Sequence, residues 1–292
     1  MRASSVVIFF VAVAISGKTF AATLKNDVVQ KRFANSTSCG GLLTAEEGLI
    51  EYKLDGNYQA DEVCIWTIRS PFRTGINFTM NRMGFEAQFD GVKLWRVSKY
   101  GISRAHYFSN RTDVPEEGYV TSSVAIVTFH SIYSVQGKGF SLSFRATPDT
   151  DYSFKHFEDY NKKASGSEVV TFRYPENLPY QNLEFSTFTV SRNTGDPDNN
   201  VELNITSLHL EYEFSGICKD IIHVYYFRRG MSYNDFSSVT PLDGVCDTSQ
   251  VVPPIYHPGY YYKADAIVIL LVTDEQNTGE GYELSYRYTT RN

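Results

Sequence analysis

Four cysteines, Cys39, Cys64, Cys218 and Cys246, are the side chains whose chemistry is easiest to name. They are even in number and widely spaced, which suits disulfides. Four cysteines allow three pairings, and the residues alone leave all three open. Asn35, Asn77, Asn110 and Asn204 each begin an Asn-x-Ser/Thr sequon, the acceptor for an N-glycan in a secreted chain. Asn77 and Asn204 sit in the strand-like runs GINFTM and VELNIT, so a glycan there requires the side chain to face solvent. Catalytic chemistry is poorly provided for. Neither Gly-x-Ser-x-Gly nor His-Glu-x-x-His occurs. The six histidines (His106, His130, His156, His209, His223 and His257) are scattered, with no two close enough to share a helix turn. The reading is therefore of a protein that is not an enzyme. Arg228-Arg229 reads as a charged guard on an edge strand. Tyr256, Tyr260, Tyr261 and Tyr262 lie in a Pro- and Gly-containing loop, where they either anchor an interface or cap a core.

The elements that must hold these residues are strands. The chain has 292 residues, about two domains' worth. Aromatics make up 15 %, with 21 Tyr and 20 Phe, a composition that packs well on pleated surfaces. Strand signals fall at 65–68, 75–80, 92–97, 124–129, 185–190, 201–210, 221–227 and 266–272, separated by turn residues. No helical period stands out. The net charge of −6 argues against a nucleic-acid partner. Residues 1–21 read as a signal peptide, with Arg2, the apolar run 6–15 and small residues before Ala21-Ala22. The run is too short to span about 30 Å of hydrocarbon. The longest later candidate, AIVILLV at 266–272, reads as a buried strand, so no membrane span is expected. The expected address is secreted and extracellular.

The chain also repeats itself. GKGFSLSFR (137–145) aligns with GEGYELSYR (279–287), with five of nine positions identical and two Phe/Tyr exchanges. CIWTI (64–68) aligns with STFTV (186–190), and AQFD (87–90) with the Cys218-Lys219-Asp220 stretch. The offsets are 142, 122 and 130 (279 minus 137, 186 minus 64, 220 minus 90), near one domain length and shifting as loop insertions would make them. The reading is all-β, as two tandem antiparallel β-sandwich domains at 33–146 and 165–290, joined by a polar connector at 147–164.

The first copy opens Cys39-Gly40-Gly41-Leu42. Cys64-x-Trp66-x-Ile68-x-x-Pro71 follows, then an Ile76/Phe78 strand, Phe89-Asp90 and the Gly139-Phe140 ending. In that order these residues resemble a CUB domain. The second copy keeps Cys218-x-Asp220, Cys246, and Thr273-Asp274 before Gly281-Tyr282, a more divergent likeness. The resemblance covers 39–146 and, more weakly, 165–288. It implies two CUB-like jelly-roll domains with one disulfide each, Cys39–Cys64 and Cys218–Cys246, because each copy lacks a different pair of the family's four cysteines.

Many members of that family bind calcium through three acidic residues at one end of the sandwich. In the first copy the resemblance leaves Asp90, with Arg82 and Ile132 at the other two places, so no calcium site is expected there. Glu86 is too near Asp90 in sequence to stand for the first acid. In the second copy it offers Glu211, Asp220 and Asp274, with Glu213 as the alternative to Glu211, hence Ca2+ in the second domain only. The function so implied is extracellular binding of a protein or glycan partner through loops at the sandwich ends, by way of a basic side chain of the partner. The alternatives are a structural matrix or coat component, or an accessory non-catalytic partner of a secreted protease.

Overall fold

The computed structural model describes residues 33–71, 75–87, 90–131, 137–147, 154–164, 166–176, 179–192, 199–211, 218–229, 236–247, 249 and 264–290. Every element among them is a β-strand. The expected signal peptide, Ile132, Glu213 and the tyrosine loop at 256–262 lie outside the described residues.

The first half contributes β1 (Phe33–Ser36), β2 (Gly41–Thr44), β3 (Glu47–Asn57), β4 (Val63–Arg69), β5 (Ile76–Gly84), β6 (Gly91–Ser98), β7 (Gly101–Ser109), β8 (Glu116–Val120), β9 (Val124–His130) and β10 (Lys138–Ala146). They form two facing sheets, ordered β1-β3-β10-β5-β8 and β2-β4-β9-β6-β7. The second half contributes β11 (Asp159–Lys163), β12 (Val170–Tyr174), β13 (Phe185–Ser191), β14 (Asn199–His209), β15 (Ile221–Arg229), β16 (Phe236–Val245), β17 (Ala266–Val272) and β18 (Gly281–Thr290). Their sheets are ordered β11-β13-β17-β15-β16 and β12-β18-β14. Each half closes on its own core. Trp66, Phe78, Phe129 and Phe140 are in the first, and Phe188, Ile205, Ile269 and Leu284 in the second.

A third core joins the halves. Side chains alternate across a strand, so a strand lying between two layers is apolar on both faces. In β4, Cys64, Trp66 and Ile68 enter the first core while Val63 and Ile65 point outward. In β17, Ile267, Ile269 and Leu271 enter the second core while Ala266, Val268, Leu270 and Val272 point outward. These outward residues meet Trp95, Val97, Val124, Ile126, Phe185, Tyr225 and Phe227 in one buried cluster. The result is four stacked sheets, and it explains why AIVILLV is apolar without alternation.

Two expectations need correction. The stretch at 147–164 is not merely a connector. Its β11 pairs in parallel with β13 and belongs to the second half's inner sheet, so that half begins before residue 165. The strand DYNKK has no apolar pattern because its polar residues are used between layers. Asp159 accepts both Nε and Nη2 of Arg69, at 2.7 and 2.8 Å, with both side chains buried. Asn161 donates to the carbonyls of Gly41 and Ile65 and to the Thr67 hydroxyl. Secondly, Arg228-Arg229 guards no edge, because β15 lies between β17 and β16.

Candidate metal centre

The Cys218–Cys246 disulfide ties the approach to β15 to the residue after β16, and Cys39–Cys64 ties the approach to β2 to β4. These are the pairings the resemblance implied. Gly40, beside the first, takes φ of 77°, and a Cβ there would fall 2.6 Å from the Ile65 carbonyl oxygen.

The second disulfide sits at one end of the second sandwich. Here Glu211 leaves β14, Asp220 precedes β15 and Asp274 follows β17. One carboxylate oxygen from each lies within 4.8 Å of the other two. The backbone holds them there. Lys219 and Asp220 donate their N–H groups to the Glu211 carbonyl, and Leu210 donates to the Cys246 carbonyl. Asp220 is fully buried. Its Oδ2 accepts the Tyr180 hydroxyl at 2.6 Å and its Oδ1 accepts the Asp274 N–H at 2.8 Å. Burial pushes its carboxyl up to about 6, and the neighbouring Asp274 and Glu211 charges add to that rise against the opposing hydrogen bonds. Asn277 donates to Oε1 of Glu211. Oε2 of Glu211 is buried with no hydrogen-bond partner among the described residues. An all-oxygen set with an orphaned carboxylate oxygen matches what a hard divalent cation takes as ligands.

The same scaffold recurs in the first half. Tyr58 donates to Asp90 Oδ2 at 2.6 Å, as Tyr180 does to Asp220. The Glu86 N–H donates to the Tyr58 hydroxyl, as that of Glu211 does to Tyr180. Glu86, rather than the neighbourhood of Arg82, is therefore the counterpart of Glu211. Sequence spacing hid this because the Glu-to-Asp interval is four residues in one half and nine in the other. Behind this end, Gln59 donates its N–H to Glu62 and Glu62 its N–H to the Ser131 hydroxyl. Gln181, Glu184 and Thr273 repeat that pattern. Tyr52 bonds to Glu62 as Tyr174 does to Glu184. This network uses aromatic and polar residues at the 122 and 142 offsets, and was missed because each was read alone.

The other grouping of metal-ligand types, Cys39, Glu62 and Cys64, is a disulfide beside a carboxylate, and oxidised sulfurs are not thiolate ligands. Among the described residues the histidines form no metal group. His106 pairs with Glu116 and His223 with Asp243. Of the sequon asparagines, Asn35, Asn77 and Asn204 are exposed and Asn110 is half-buried.

Comparison with known proteins finds similarity over most of this chain. Cubilin of Sus scrofa is 25 % identical over 237 residues, 76 % of this chain, and the chain spans 6 % of that relative's length. The CUB1-EGF-CUB2 domain of human MASP-1/3 is 18 % identical, covering 84 % of this chain and 100 % of that one at a TM-score of 0.31. The full extracellular region of zebrafish Gpr126/Adgrg6 is 18 % identical, covering 86 % and 37 % at a TM-score of 0.31. The family model named CUB domain matches residues 39–144 of this chain.

Proposed function

We propose that this is a secreted, non-catalytic binding protein of two CUB-like units, and that its second unit takes up Ca2+ through Glu211, Asp220 and Asp274. The observation that carries the reading is the convergence of these carboxylates, with Glu211 Oε2 buried and without a hydrogen-bond partner among the described residues. Calcium bound there supplies positive charge against three carboxylates and fixes three loops to one another. Asp220 anchors the group, because Tyr180 and the Asp274 N–H hold its carboxylate in place. Asp274 and Glu211 are half-buried beside it. The loops so ordered form a surface with residual negative charge, suited to a lysine or arginine side chain of an extracellular protein.

Thermal unfolding of the intact protein tests this. Millimolar calcium is expected to raise the midpoint relative to chelator, corresponding to about 3 kcal/mol of added stability at a hundredfold excess over Kd. Asp274→Ala is expected to abolish the difference. Equal midpoints for the parent protein with and without calcium would end the proposal.

A further inference from the structure

The contact between the two halves has a symmetry that the stacking alone does not require. Thr67 and Thr189 are counterparts in the repeat (189 minus 67 is 122). Their hydroxyls meet at 3.1 Å, fully buried, between β4 and β13. Other counterparts also meet, β2 with β11 and β7 with β16. The ends of the contact are reciprocal. Arg69, closing β4, donates to the Phe185 carbonyl that opens β13, at 2.7 Å. Arg192, just past β13, donates to the Asp61 carbonyl just before β4, at 2.5 Å. Trp95 packs edge-on against Phe227 at 5.2 Å. Tyr225, the counterpart of Trp95 (225 minus 95 is 130), reaches across to lie against Gly101, where a Cβ would fall 2.0 Å from the tyrosine hydroxyl oxygen.

A surface whose position i meets its own equivalent, while its two ends exchange contacts, is the signature of an isologous two-fold interface. We propose that the face formed by β4, β9 and β6 is a module-pairing surface, and that its partner is a second module of the same fold presenting the same face. The intact chain is thus a tethered pseudo-dimer whose halves recognise one another without the covalent link. The buried cluster supplies the attraction, and the Arg69–Asp159 pair and the Arg192 contact set the register. One consequence follows for binding. The axis at Thr67 and Thr189 makes β4 and β13 antiparallel, so the two equivalent loop ends face opposite poles. The carboxylate cluster then lies near the Arg69 end of the first half, remote from Glu86 and Asp90. This inference does not depend on calcium.

The test uses the full chain with a protease recognition sequence inserted between Thr147 and Phe154. After cleavage both halves are expected to co-elute at the volume of the uncut protein under non-denaturing conditions. Separate elution of the halves would overturn the proposal. A Thr67→Cys/Thr189→Cys variant of the uncut chain provides the second reading and decides alone if the insertion prevents folding. Non-reducing peptide mapping is expected to find residues 67 and 189 cross-linked in most molecules, and two free thiols would refute the pairing.

Discussion

Asp220 is the residue on which the electrostatics of the carboxylate end turn. Burial raises its pKa to about 6, so the folded chain holds a proton there that the unfolded chain, with a value of 3.8, gives up earlier. The sign follows from linkage. This group's stabilising contribution is complete below 3.8 and is lost as the pH rises through about 6. At pH 7.5, Asp220→Asn should remove the protein's response to calcium in denaturant melts, because the amide carries no charge and cannot accept from both Tyr180 and the Asp274 N–H. Calcium bound at the proposed site would displace the same proton, so its affinity should fall about tenfold between pH 7.5 and pH 5 from Asp220 alone. Pairwise titrations at those two pH values give the comparison, and pH-independent affinity would place the cation elsewhere.

At the scale of elements, the informative strand is β11. Its Asp159 is held by Arg69 from the other half and by the backbone N–H and hydroxyl of Thr187. The Arg69 guanidinium also lies over the rings of Phe157 and Phe185. Removing one partner leaves a buried charge alone, so Arg69→Ala should cost about 3–5 kcal/mol in urea unfolding. Arg69→Met combined with Asp159→Leu should recover most of that loss, and a double variant as unstable as the single one would contradict it. This strand marks the limit of what could be read in advance. The strands buried on both faces, such as β9 and β17, announce themselves as unbroken apolar runs. DYNKK does not, because its role is polar and its partners come from residues 41–69. Asp220 and Asp274 could be placed through the motifs beside them. Glu86 could not, since its equivalence to Glu211 lies in a shared hydrogen bond to a tyrosine hydroxyl and not in spacing.

For the whole molecule, the shared third core makes the halves thermodynamic neighbours. Ile126, Trp95, Val268 and Leu270 are each essentially buried between layers, and separating the halves would expose them together to water. Heat unfolding should accordingly give one calorimetric transition, and calcium bound in the second half should move that entire transition. Two transitions, one of them insensitive to calcium, would mean that the interface does not couple the halves. Each half also carries one disulfide, closing loops of 25 and 28 residues, worth about 3–4 kcal/mol each by the chain-entropy model. The Cys218–Cys246 disulfide stands two residues from Asp220, so the covalent staple and the carboxylate end are one local construction.

Calorimetric titration of the intact protein at pH 7.5 reads calcium binding by the three carboxylates proposed at the end of the second unit. One saturable calcium site is expected in the parent protein and none in Asp274→Ala. A parent protein that gives no binding, or an Asp274→Ala isotherm that matches the parent's, would contradict it.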